Sequence, residues 1–205
     1  MIVRRGLLAL GLLPLLPQAA RAGAQIEEPL ADSVRSALAM AIANAAPPKP
    51  SFESMDERLK FLRWLGAMSE RMKTFKGEHL TRVEFLETLW YESKRSGLEP
   101  SLVLGLVQVE SGFRKFVVSS VGARGYMQVM PFWVRLIGDG DASRLFHMQT
   151  NLRFGCVILR HYLNVERGDL FLALGRYNGS RGRAEYPSAV FAARKRWEVD
   201  DRPRA

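Results

Sequence analysis

Residues 100–113 read Pro100-Ser101-Leu102-Val103-Leu104-Gly105-Leu106-Val107-Gln108-Val109-Glu110-Ser111-Gly112-Phe113. Proline fits the first turn of a helix, where its missing amide is not needed, and glycine fits the position just past the end. The spacing predicts a helix from Ser101 to about Ser111. On it, Val103, Leu106, Val107 and Glu110 share one face. Three of those side chains are apolar and the fourth is a carboxyl. Such a glutamate either reaches water from a frayed helix end or sits in a cleft of low polarity. In the cleft, desolvation raises its pKa, and it can hold a proton near neutral pH and act as a general acid.

Outward from this helix the pattern stays helical. Met55, Leu59, Leu62, Leu65 and Met68 recur at three- and four-residue spacings, which predicts an amphipathic helix. Thr81-Arg82-Val83-Glu84 has the spacing of a capping box, and Gly97 is placed to end the helix it starts. Between Gly112 and Gly125 the helical period is lost in a loop. Further helices are expected near 128–138, 149–166, 169–177 and 185–197. No segment alternates as a strand does, so the fold class is all-α.

The N-terminal end reads as an export signal. Arg4 and Arg5 precede an apolar run from Gly6 to Pro17, and Ala20-Arg21-Ala22 resembles a cleavage site. The run is short for a bilayer span and holds Pro14, so an ordinary cleaved signal over 1–22 is expected, with no integral membrane segment in the mature chain. The next stretch, 23–50, is alanine-rich, ends in Pro47-Pro48-Lys49-Pro50, and is expected to be a flexible or weakly helical lead-in. Residues 51–97 supply N-terminal helices.

The 205 residues carry 30 Lys and Arg against 21 Asp and Glu, a formal net charge of +9. Removing Arg4, Arg5 and Arg21 with the signal leaves +6, a surplus that suits an anionic partner. Export argues against nucleic acid. The single cysteine, Cys156, excludes an intramolecular disulfide and reads as a small buried residue. His79, His147 and His161 show no metal-ligand spacing, and neither a metal nor another cofactor is expected.

Three separated blocks then stand in order: Glu110-Ser111-Gly112-Phe113; Ser119-Ser120-Val121-Gly122-Ala123-Arg124-Gly125 running into Tyr126-Met127-Gln128-Val129-Met130-Pro131; and Tyr177-Asn178-Gly179. Together they resemble the catalytic domain of the soluble-type lytic transglycosylases, over roughly residues 95–197. The resemblance implies a lysozyme-like helical domain over 98–198, preceded by the N-terminal helices and followed by a tail over 199–205. It implies a periplasmic enzyme that cuts peptidoglycan glycan strands between N-acetylmuramic acid and N-acetylglucosamine. By the same resemblance, Glu110 is the catalytic acid. Ser119 hydrogen-bonds near the reacting sugar, and Gln128 and Met130 line the cleft. Tyr177 contacts the catalytic glutamate through its hydroxyl, and Asn178 shapes the cleft. Met127, Phe132 and Trp133 are expected in the core. Two positions depart from the family's usual pattern: Tyr126 stands where leucine is frequent, and Gly179-Ser180 follows Asn178 where alanine is common. Neither removes a polar group assigned to the chemistry. Arg176, Arg181 and Arg183 make the cleft edge basic, either as a site for peptide carboxylates or as a solvated charge cluster.

Glycosidases that hydrolyse usually need two carboxyl groups. The other candidates, Asp139, Asp141, Asp169 and Glu185, fall outside the three blocks, and Asp141 and Asp169 read as helix N-caps. One acid suits the chemistry the resemblance implies. Glu110 protonates the leaving oxygen and then, as base, frees the same sugar's 6-hydroxyl to close a 1,6-anhydro ring. The competing readings are a lysozyme-type muramidase and a glycan-binding module without turnover.

Overall fold

A computed structural model describes residues 25–43 and 50–199. The expected signal peptide, most of the proline cluster and residues 200–205 lie outside the described residues. The helices in order are α1 (Asp32–Ala43), α2 (Met55–Met72), α3 (His79–Arg95), α4 (Pro100–Ser111), α5 (Pro131–Ile137), α6 (Met148–Val165), α7 (Leu170–Asn178) and α8 (Glu185–Lys195), with a 3-10 turn at Ala142–Phe146. Two isolated antiparallel bridges join Arg124 to Val118 and to Val129. The expected all-α class holds. Among the described residues no helix is long and apolar enough to cross a membrane.

Helix α4 is the axis of the domain. It is buried on nearly every side, from Pro100 through Leu102–Val107 to Glu110 and Ser111, as a helix apolar all round must be. Gly105 lets α8 cross it at close range: a Cβ there would stand 2.7 Å from the Arg194 amide nitrogen and 3.0 Å from the Val190 carbonyl. Around this axis α3, α6 and α7 supply much of the core, including Phe85, Leu89, Ile158, Tyr162, Leu174 and Tyr177, and α2, α5 and α8 add Met68, Val134 and Val190. A buried ion pair ties α3 to α6, with Arg153 donating to Glu92 at 2.8 and 3.0 Å.

Several local expectations hold. Pro100 stands in the first turn of α4 and Gly112 ends it in the left-handed region. Gly97 (φ +63°) closes α3, with the Leu98 amide donating to Ser93 and the Gly97 amide to Lys94, the paired bonds of a Schellman end. Asp169 caps α7 through the Leu172 amide, and Asp141 caps the 3-10 turn through Ser143.

Others are corrected. The start of α3 is not a box at Thr81: the helix begins at His79, because the Glu78 carboxylate accepts from the Leu80 and Thr81 amides. The stripe on α2 is not one buried face. Its three successive three-residue steps each fall about 60° short of a turn, so the stripe winds round the helix. Of the stripe Met68 is buried and Leu65 partly so, joined by Phe61 and Met72 from outside it, while Met55, Leu59 and Leu62 are exposed. The expected helix from 128 begins at Pro131, since Gln128 has φ +48° and the Val129 amide turns back onto Arg124.

Helix α1 buries no residue outright, yet it lies along α5 and α6. Its C-terminal carbonyls are met by Arg95, donating to Ala41, and by Arg153, donating to Ile42. The extended residues 25–31 lead into it, and Gln25 at their start is buried.

Candidate active site

Two buried carboxyl groups stand out among the described residues, Glu92 and Glu110. Glu92 has its arginine. Glu110, only 4% exposed, has none: its Oε1 accepts from the Tyr186 hydroxyl at 2.5 Å, and its Oε2 is buried without a partner. Burial pushes its pKa from 4.5 up to about 8, and the Tyr186 bond opposes that rise. Glu110 is therefore mostly protonated at neutral pH, with one oxygen held and the other free. Tyr186→Phe should move this titration higher still, read by carbon NMR of the labelled carboxyl; an unchanged midpoint would show that the bond does not form in solution.

The loop after α4 forms the adjoining wall. Ser111 donates from Oγ to the Tyr126 carbonyl at 2.8 Å, tying the end of α4 to the returning loop. Gly125 (φ +75°) passes so close to Asn151 that a Cβ would stand 2.4 Å from Nδ2. Asn151 in turn uses its whole amide. Oδ1 accepts from the Met127 nitrogen at 2.8 Å, and Nδ2 donates to the Arg124 and Leu145 carbonyls, both at 2.8 Å. Phe116, Val118 and Val121 leave apolar surface exposed on this loop.

The residues singled out from sequence fall into two groups. Glu110, Gln128, Tyr177 and Asn178 are buried, whereas Ser119 and Met130 are part-exposed. Ser119 accepts from the Ala123 amide at 3.0 Å, closing the loop's tight turn. Gln128 donates its amide to the Val117 and Gly125 carbonyls, so it braces the loop, and its Oε1 is buried without a partner. The expected Tyr177–Glu110 hydrogen bond is corrected. Tyr177 donates instead to the Met127 carbonyl at 2.8 Å, and Tyr186 on α8 is the tyrosine that meets Glu110. Tyr177 still stands near enough for the Glu110 charge to help raise its own pKa.

Other groups are already engaged. Arg176 and Arg181 both bind Glu166, and Arg176 also binds Glu28, while Arg183 is exposed. Asp139 pairs with Arg144, and Asp139, Asp141, Asp169 and Glu185 are all exposed. Cys156 is buried, and burial raises its thiol pKa, so it packs as a small apolar residue.

Tyr186 and Asn151 were missed in the sequence. Tyr186 is the second residue of α8, in a helix of ordinary periodicity, and only the close crossing of α4 and α8 brings it to Glu110. Asn151 lies in the first turn of α6 among Gln149, Thr150 and Arg153, where nothing in the sequence marks it as the buried residue that must find several partners.

The curated relatives of this chain are longer proteins. A protein named transglycosylase from Enterobacteria phage PRD1 is 34% identical over 105 residues, 51% of this chain and 38% of the phage protein. Membrane-bound lytic murein transglycosylase C of Actinobacillus pleuropneumoniae serotype 5b is 36% identical over 94 residues, 45% of this chain and 24% of its own. The protein of that name from Glaesserella parasuis serovar 5 is 39% identical over 106 residues, 49% of this chain and 26% of its own. The chain thus matches less than two-fifths of the length of each. The model of the transglycosylase SLT domain matches residues 88–199, from the middle of α3 to just beyond α8. With Glu110, its loop and its tyrosine all inside that span, the chain belongs to the transglycosylase SLT domain family.

Proposed function

We propose that this protein is a periplasmic lytic transglycosylase that cleaves peptidoglycan glycan strands between N-acetylmuramic acid and N-acetylglucosamine. The observation that carries this reading is Glu110, a buried carboxyl with no cation and no second buried carboxyl beside it, held by Tyr186 with one oxygen free. A carboxyl in that state is equipped to give up a proton and is poorly equipped to share hydrolytic work.

In the proposed reaction Glu110 passes its proton to the glycosidic oxygen, and the bond from that oxygen to the muramoyl anomeric carbon breaks. The carboxylate then takes the proton of the same sugar's 6-hydroxyl, and the oxygen closes onto the anomeric carbon. Glu110 ends protonated, the product carries a 1,6-anhydro ring, and no water is consumed. The nucleophile belongs to the substrate, so its effective concentration is high and a second activating carboxylate is unnecessary. Ser119 and Met130, the part-exposed members of the set, are the proposed sugar contacts. Gln128, Tyr177 and Asn178 are proposed to shape the wall behind them.

The products test the reading. Purified glycan strands digested with the protein should yield ends one water lighter than free reducing ends by mass spectrometry. Reducing ends would make it a muramidase, and strand binding with no new ends a glycan-binding module.

A further inference from the structure

The first described residues lie near the site. Gln25 is 5% exposed although it precedes any regular structure. Its Oε1 accepts from the Trp133 indole nitrogen at 3.0 Å, and its side chain lies beside the Tyr177 hydroxyl. Trp133 is the third residue of α5, in the turn that follows Met130, and Tyr177 is near both Gln25 and Glu110. The next residues cross the same surface, where Glu27 pairs with Arg135 at 3.5 Å and Glu28 with Arg176 at 2.5 Å.

Its fastenings are those of a removable piece. Ile26, Glu27, Glu28 and Pro29 are exposed, and no backbone ladder holds residues 25–31. The two ion pairs join partly exposed side chains, each worth at most about 1 kcal/mol and weakened by salt. The buried anchor is held firmly on one side only: Gln25 Nε2 makes no hydrogen bond of ordinary geometry and faces the Tyr177 hydroxyl oxygen as its one nearby acceptor.

The slot nevertheless has a definite chemistry. An indole N–H can only donate, so Trp133 selects a carbonyl oxygen, and an aromatic ring beside it suits a flat amide. The acetamido group of an N-acetylated sugar presents the same planar carbonyl as the glutamine side chain. Without an acceptor, the Trp133 N–H would be a buried donor left unpaired.

We propose that residues 25–28 form an intramolecular strap whose Gln25 carboxamide occupies an acetamide-binding slot at Trp133 and Tyr177, so that glycan must displace the strap to reach Glu110. This rests on the glycan-cleaving reading above for the identity of the ligand. A strap closed nine-tenths of the time lowers apparent affinity about tenfold, and loosening it restores that factor.

The test is binding of the N-acetylglucosamine tetramer to the whole protein carrying Glu110→Gln, by calorimetry, so that turnover does not intervene. Adding Gln25→Ala should tighten binding about tenfold, and Glu27→Gln with Glu28→Gln should tighten it several-fold. Raising salt should tighten binding to the intact strap and leave the Glu27/Glu28 variant unmoved. In the Gln25→Ala background, Trp133→Phe, which keeps a ring and removes the donor, should weaken it again. Hydrogen exchange at residues 25–30 should accelerate when tetramer is bound. Equal or weaker binding by strap variants with unchanged melting temperature, no binding by any of them, or unchanged or slowed exchange at 25–30 would overturn the strap. Strap-dependent binding without anhydro ends from the unsubstituted protein would sink the enzymatic reading alone. Anhydro ends with strap-independent binding would sink the strap alone.

Discussion

Glu110→Gln should reduce glycan cleavage by about 10³-fold or more while making the protein more stable at pH 7. The two effects share one cause. A glutamine amide cannot deliver the proton, and positioned acid catalysis is worth about 10²–10⁴-fold; here the same group also serves as base, so the loss should reach the upper part of that range. The stability effect follows from linkage. The carboxyl has a folded pKa of about 8 against 4.5 in the unfolded chain, so the folded state resists ionisation that the unfolded state accepts. The penalty is absent below pH 4.5, grows as pH rises, and is complete above pH 8. By pH 7 it amounts to about 3 kcal/mol, and glutamine, which has no charge to lose, escapes it. Denaturant unfolding at pH 4 and pH 7 measures this: the two proteins should differ little at pH 4 and clearly at pH 7. A variant that is less stable at both would show that Glu110 does not carry the raised pKa. The pH–rate profile should likewise fall above about pH 8, where the acid has lost its proton.

Asn151→Ala should be the most damaging substitution remote from the reacting carboxyl. It removes the acceptor of the Met127 amide and the donor to the Arg124 and Leu145 carbonyls; the Met127 and Leu145 bonds are buried and the Arg124 bond is part-buried. Unpaired buried polar groups cost about 1–3 kcal/mol each, and some relaxation will recover part of the sum, so a loss of about 3–5 kcal/mol is expected in urea unfolding. Activity should fall with it even where the chain remains folded, because Met127 also supplies the carbonyl that holds Tyr177. Full activity in a folded Asn151→Ala protein would show that the loop does not depend on this clamp.

What was legible in the sequence was what depends on local pattern. Pro100 and Gly112 bracket α4 by backbone chemistry, Gly97 ends α3 by its positive φ, and Glu110 is visible as an acid on an apolar face. What was not legible depends on how distant elements meet. The α2 stripe winds round its helix by its own three-residue steps, and which of its residues are buried depends on the side that α3 covers. Glu78 outcompeted the Thr81 capping box because a longer side chain one turn earlier reaches two amides at once. The same limit explains the exchange of tyrosines. Tyr177 lay in a recognisable block, but Tyr186 reaches Glu110 only because a glycine lets α8 lie against α4. Gln25 was harder still, since nothing in an alanine-rich lead-in signals that one glutamine is buried beside an indole.

Glu110 occupies the final turn of α4, with Gly112 closing the helix behind it. The carbonyl dipoles of a helix gather about half a negative charge at that end. This field acts in the same sense as burial, so the neutral carboxyl is at rest and the anion is under tension. A proton given away at the start of a catalytic cycle is therefore one the residue is driven to recover. The helix end thus sets a direction in time as well as a pKa: the carboxylate left by the first half of the reaction is the strong base that its second half requires.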